Sequence, residues 1–274
     1  MAAVQFEECF PAELTEAMAA APLGYLPLGT LEWHGEHSAV GLDALKAHAL
    51  CLRAAQISGG LVLPPLFFAA DSREDLPGGD YLTGGIEHGE RYHVPGSMFW
   101  LRPETYHNLL LDIYEAMRRR GFRAILVLSG HWSSGTLPVV RASGAEFAAR
   151  WPDLRWLLLT DQELLADEPP GSPLFYPHEH AAGGETALLM HLRPELVDLA
   201  RTFETARALR AHYQSMPAHL ARRAATPNKY IGVLRGAADD SNDPELSATP
   251  ERGRRLFEAI AARLAARGQE LLAG

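Results

Sequence analysis

Residues 25–43 read Y-L-P-L-G-T-L-E-W-H-G-E-H-S-A-V-G-L-D, and the fold class turns on how this stretch is understood. Its first part, Tyr25 to Gly29, is a short apolar run that predicts a buried strand. The residues after it, Ala44 to Ile57, predict a helix. Between them, Glu32, His34, Glu36, His37 and Asp43 crowd into a strand-to-helix turn. Ionisable side chains packed that densely are costly unless something uses them. At a strand end, Glu32 and His34 are two residues apart and so project to one side. Asp43 returns near the helix start. Two carboxylates and an imidazole converging on a point suit a Zn²⁺ or Mn²⁺ ion. Blander readings stand beside this one. Asp43 is also a good helix N-cap, E-x-H alone is a weak pattern, and Glu36 and His37 read as solvated loop residues.

Outward from this stretch, the helix from Asp43 stops at Gly59-Gly60, and Leu61 to Pro64 reads as a second strand. Strand, helix, strand is a βαβ unit, which favours parallel pairing. Upstream, residues 11–21 form a helix opened by Pro11. Downstream, 67–102 shows no periodicity and reads as a long loop rich in Gly, Asp, Tyr and His, of the kind that is often functional; it could carry substrate contacts, a hairpin or an oligomer interface. Pro103 to Arg120 is an amphipathic helix with arginines at its C-terminal end. Ala124 to Leu128 is a continuous apolar run, expected of a central parallel strand. It leads directly into Ser129-Gly-His131, where ligands sit in open α/β sheets. A helix over 136–150 and a strand over 155–160 follow, then a proline-rich loop over 161–178. His180 and Glu185 lie at the start of an apolar helix ending near Leu192, so Glu185 is carried toward the interior. We expect one domain over 1–274, with 206–249 as an irregular arm and 250–272 as a closing helix.

Composition narrows the function. The chain has 274 residues, a net charge of -9 and 47% hydrophobic residues, which fits a globular α/β domain. The acidic balance argues against nucleic acid and against an anionic membrane surface. No apolar run reaches the length of a membrane span. The first residues lack a basic, apolar leader, and two cysteines make no disulfide framework. The expectation is a cytoplasmic protein.

Glu32, His34, Asp43, His131 and Glu185 come from four segments, each near a strand end or helix start. Two imidazoles and three carboxylates exceed the needs of one catalytic Zn²⁺. With Asp43 bridging, they match two divalent ions ~3.5–4 Å apart that activate a shared water and polarise a carbonyl. His180 remains as a proton shuttle. Trp33 and Trp132 flank the ligands as pocket walls, with core packing as the alternative, and His93 and His178 stand next in line for substrate contact. His48, His107, His191, His212 and His219 read as surface or structural.

Three runs carry a family likeness: residues 27–37, P-L-G-T-L-E-W-H-G-E-H, with Asp43; Ser129-Gly-His131; and residues 180–186, H-A-A-G-G-E-T. Residues 93–97 and 236–255 match more loosely. The chain resembles the creatininase (creatinine amidohydrolase) family. The resemblance implies a three-layer α/β/α fold with a mostly parallel central sheet. It also implies two divalent ions per chain, Zn²⁺ and/or Mn²⁺ with Fe²⁺ as an alternative. It further implies hydrolysis of a small-molecule C–N amide by a metal-bridged hydroxide, and a homo-oligomer, often a hexamer. Glu32, Asp43 and His131 map to one ion, His34, Asp43 and Glu185 to the other, and His180 to the catalytic histidine. Other members cleave formamides or release a residue from a peptide precursor. Three departures mark this chain: Ser133 stands where creatininase has Glu, a proline-rich 167–178 segment replaces a tryptophan-bearing loop, and the 71–96 loop is long. A catalytically lapsed scaffold is the competing reading, and Ser133 favours it. A dinuclear phosphoesterase is the third, weakened by the scarcity of Arg and Lys near the ligands.

Overall fold

The computed structural model describes residues 4–70, 73–75, 81–83, 87–88, 99–133, 135–176, 180–201 and 247–274. Its centre is a four-stranded parallel sheet of β1 (Leu23–Leu28), β2 (Leu61–Val62), β8 (Ala124–Ser129) and β9 (Arg155–Thr160), in the order β2-β1-β8-β9. β1 and β8 are buried along their whole length. That is why both read as unbroken apolar runs rather than as alternating ones.

Alternation instead sorts side chains between two cores. In β8, Ala124, Leu126 and Leu128 enter one cluster, whereas Ile125 and Val127 enter the other, the period of two that a strand imposes. The first cluster is covered by α2 (Leu42–Ser58), α5 (Gly183–Leu192) and α6 (Pro250–Ala273), with Leu50, Leu188, Ile260 and Leu264 inside it. The second is covered by α3 (Pro103–Arg119) and α4 (Thr136–Arg150), through Tyr106, Leu110, Tyr114, Val140 and Phe147. Helix α1 (Pro11–Ala20) lays Leu14, Ala17 and Met18 against this second side. The result is three layers, helices on both faces of a parallel sheet.

The βαβ unit read from the sequence is present as β1, α2 and β2, with Gly24 opposite Leu61. The chain then returns to the other side of β1 to form β8, with Leu23 opposite Ala124. The strand order therefore reverses between β1 and β8, and ligands bind outside the carboxyl ends of strands at such a reversal. The stretch 67–102 is not one irregular loop, and the hairpin alternative holds for part of it. It contains five short strands: β3 (Ala69–Ala70), β4 (Arg73–Asp75), β5 (Tyr81–Thr83), β6 (Glu87–His88) and β7 (Trp100–Leu101). β3 pairs with β7, and β4-β5-β6 form an antiparallel sheet. Strands of two or three residues are too short to display a period. The arm expected over 206–249 lies outside the described residues up to 246. Helix α6 begins with Thr249 accepting the Arg252 N–H at 3.1 Å, a side-chain cap before a first-turn proline.

Candidate metal centre

Two loops and two helix starts meet where the strand order reverses. The loop after β1 carries Glu32 and His34, the loop after β8 carries His131, α2 brings Asp43 and α5 brings Glu185. All five are buried, none more than 4% exposed. β1 ends at Leu28, so Glu32 and His34 project from irregular chain rather than from the strand end expected. Asp43 is not the cap of α2. Gly41 holds that position, and Asp43 sits inside the first turn with its carboxylate turned to the centre. Close approach depends on Gly130, whose α-carbon leaves space for α2: a Cβ there would lie 2.3 Å from the Asp43 carbonyl oxygen.

The donors fall into overlapping sets. Glu32, Asp43 and His131 form one, and His34, Asp43 and Glu185 a second, each with ligand atoms within 4.8 Å of one another. Asp43 belongs to both, placing Oδ1 3.2 Å from His34 Nε2 and Oδ2 3.0 Å from His131 Nδ1. His131 Nδ1 is also 3.0 Å from Glu32 Oε2. The His34 ring is oriented from behind, its Nδ1 donating to the Glu32 carbonyl at 3.1 Å. A carbonyl only accepts, so in the neutral ring Nε2 carries the lone pair. That nitrogen is buried and has no well-aligned hydrogen bond among the described residues. A lone pair facing a carboxylate oxygen at this distance needs a cation or a proton between them. The donor set, N and O atoms with one carboxylate in common, fits a pair of divalent ions.

The electrostatics agree. Burial works against a charged His34, yet Asp43 outweighs it and pushes the pKa up to about 9. Burial likewise opposes charge on His131, and Glu32 and Asp43 raise it well above the usual range. Burial would raise the Asp43 carboxyl, but His34 and His131 hold it well below its ordinary value. The carboxylates thus favour positive charge on both imidazoles, the charge that bound cations would replace.

His180 stacks on His34, ring centroids 4.5 Å apart. Its Nε2 donates to the Trp33 carbonyl at 2.7 Å, so in the neutral ring Nδ1 is the accepting atom. Nδ1 lies 3.9 Å from Glu32 Oε1, and Glu32, His34 and His180 form a third potential donor set. Trp33 is buried beside the ligands, whereas Trp132 is 44% exposed. His93 and His178 lie outside the described residues. His37 requires correction: it is not solvated but 1% exposed, with Nε2 3.2 Å from Thr186 Oγ1. Burial pushes its pKa down to about 4. Glu36 does stay at the surface, meeting Trp33 Nε1 at 3.4 Å and Arg201 at 3.5 Å. Ser133 is buried, and its Oγ accepts from Thr136 N–H at 2.9 Å and Gly135 N–H at 3.2 Å, at the entrance to α4.

Sequence reasoning missed Lys46, Asp161 and Tyr176. Lys46 is fully buried, with Nζ 2.5 Å from Glu185 Oε1, 3.1 Å from Asp161 Oδ2 and 3.3 Å from Tyr176 Oη. Two signals marked the group. Lys46 falls three residues after Asp43, on the same helix face, and Asp161 follows β9 directly, at another carboxyl end of the parallel sheet.

Among the described residues, no helix is long and apolar enough to cross a membrane. The model of the creatininase family, described as creatinine amidohydrolase, matches residues 7–267. Creatinine amidohydrolase of Pseudomonas putida is 28% identical over 206 residues, 72% of this chain and 74% of that protein. A crystal structure of creatinine amidohydrolase (creatininase) superimposes with a TM-score of 0.70 at 25% identity, over 99% of each chain. A creatininase structure in a Mn form gives 0.69 at 23% identity, over 99% of this chain and 100% of that one, and shares the fold.

Proposed function

The chain belongs to the creatininase family, and from that membership we propose that it is a metal-dependent amidohydrolase acting on a C–N bond of a small molecule. Cyclic amides and formamides are the substrate classes this reading favours. One observation carries it: the Asp43 carboxylate is common to two three-residue donor sets, with His34 on one side and His131 on the other. Glu32, Asp43 and His131 would hold one divalent ion, and His34, Asp43 and Glu185 a second, of Zn²⁺ or Mn²⁺ type. Bound there, two such ions supply Lewis acidity toward an amide carbonyl and lower the pKa of a water.

The chain's own residues supply the rest. The Glu32 carbonyl fixes the His34 ring so that Nε2 faces the centre, the backing that orients a ligand imidazole. His180, anchored through Nε2 to the Trp33 carbonyl, presents Nδ1 to hold a proton and pass it to the leaving nitrogen. Trp33, buried between Glu32 and His34 in the chain, is proposed as a wall of the substrate pocket, and the exposed Trp132 as a contact at its mouth.

A lapsed scaffold is the second reading, and Ser133 favours it. Its hydroxyl is engaged by the backbone at the start of α4 and offers no base. One experiment separates the two. Zn²⁺- or Mn²⁺-loaded protein is assayed against creatinine, other cyclic amides, formamides and short peptides, beside His180→Ala. The enzyme reading expects turnover of at least one class, and a loss of ~10²–10⁴-fold in His180→Ala with the ions retained. Full ion occupancy without turnover of any class favours the scaffold.

A further inference from the structure

The buried charge that the metal-centre reading leaves unused is Lys46. It lies on α2 one turn beyond Asp43, and its ammonium meets three acceptors from three separate parts of the chain: Glu185 on α5, Asp161 after β9, and Tyr176 in the loop before α5. Three acceptors match the three donors of an ammonium, which makes full burial tolerable. Tyr176 in turn donates to Asp161 Oδ2 at 2.9 Å. The four side chains form one buried hydrogen-bonded group beside the centre.

The direct hydrogen bond of Lys46 to the proposed ligands goes to Glu185. Glu185 Oε1 takes Lys46 Nζ at 2.5 Å, and Oε2 takes the Ala181 N–H at 2.8 Å. Both oxygens are therefore held, while a Glu185 oxygen stays within 4.8 Å of the His34 and Asp43 ligand atoms. The Ala181 amide is aimed by a left-handed backbone, φ 53°, which a residue with a Cβ seldom adopts. Of the five proposed ligands, Glu185 is the one that Lys46 pairs with directly; Asp43, common to both positions, feels the ammonium at longer range, so its share falls on both positions alike. Two opposite effects compete. An ammonium beside a ligand repels an incoming cation, whereas a hydrogen bond behind it fixes the ligand in place. Asp161, 3.1 Å from the ammonium, offsets its charge, so the orienting effect wins. Without Lys46, Asp161 and Glu185 would face each other with nothing between them, and Glu185 would be pushed from its place.

We infer that Lys46, backed by Asp161 and Tyr176, is a positioning residue for Glu185 that sets cation affinity at the His34–Asp43–Glu185 position far more than at the Glu32–Asp43–His131 position. This rests on the two-ion reading above. The test is calorimetric titration of metal-stripped protein with Zn²⁺ against a competing chelator. Wild type is expected to take two equivalents. Lys46→Met, close in volume, should bind one equivalent nearly as wild type does and the other ~10–100-fold more weakly, the usual cost of losing a ligand's backing. Should Lys46→Met fail to fold, Lys46→Met/Asp161→Asn removes both charges of the pair and carries the same expectation. Two equivalents at wild-type affinity in the folded variant, or equal weakening of both, overturn the inference while the two-ion reading stands. A wild type that takes no Zn²⁺ overturns both.

Discussion

Gly130→Ala puts the geometry of the centre to a quantitative test. A Cβ at residue 130 would lie 2.3 Å from the Asp43 carbonyl oxygen and 3.2 Å from Lys46 Cε. The nearer atom is backbone, so no side chain can rotate away. Reaching 3.0 Å requires β8's loop and the first turn of α2 to part by about 0.7 Å. Overpacking of this kind costs ~1–3 kcal/mol. The displaced turn carries Asp43, which both donor sets use, so both ion positions should weaken. Displacement approaching ~1 Å at a catalytic group costs up to ~10²-fold in rate. Gly144→Ala is the matched control. Its Cβ would meet the Trp156 ring at 2.2 Å, an equally severe contact, but in the core on the opposite face of the sheet. Urea unfolding and Zn²⁺ titration of both variants decide the matter. Both should lose stability, and only Gly130→Ala should lose ion affinity. A Gly130→Ala protein destabilised as stated but binding two ions like wild type refutes the reasoning, as does equal loss of affinity in Gly144→Ala.

Three more outcomes are expected. His34 carries a pKa raised to about 9 in the ion-free fold, so its stabilising share is complete below ~6.5 and is lost as pH rises through about 9. Ion-free protein should therefore lose stability over that window, read by denaturant midpoint. Zn²⁺ loading at pH 7 should release protons, seen as a buffer-dependent binding heat, and absence of that dependence would sink the assignment of His34 as a ligand. Ser133→Ala should cost ~0.5–2 kcal/mol through loss of its bonds to Gly135 and Thr136, and leave ion stoichiometry unchanged. Loss of an ion there would give Ser133 a direct place in the centre.

Much of the frame was legible because burial on two faces writes a simple signal. β1, β8 and β9, with the helices between them, were read within a residue or two at most ends. The strand ends then located His131 by topology alone. What failed did so for physical reasons. His37 sits in a polar, glycine-flanked turn that looks solvated, and only the distant Thr186 reveals that it is buried. Lys46 hides in an alanine- and leucine-rich helix, where a lysine normally reaches solvent. Its partners, Glu185, Asp161 and Tyr176, lie more than a hundred residues away, beyond any local pattern. The strands inside 67–102 were invisible because each spans only two or three residues.

The position of α6 has a consequence for the chain as it is made. Residues 250–273 cover α2 and α5 with Leu256, Ile260 and Leu264, and those two helices bear Asp43 and Glu185. Until this segment has left the ribosome, the apolar sides of both lie open and the carboxylates they carry have no fixed spacing. A nascent chain stalled before residue 250 would thus hold the early sheet but no finished ion site. If the centre binds cations as proposed, their capture would follow synthesis of α6 rather than precede it.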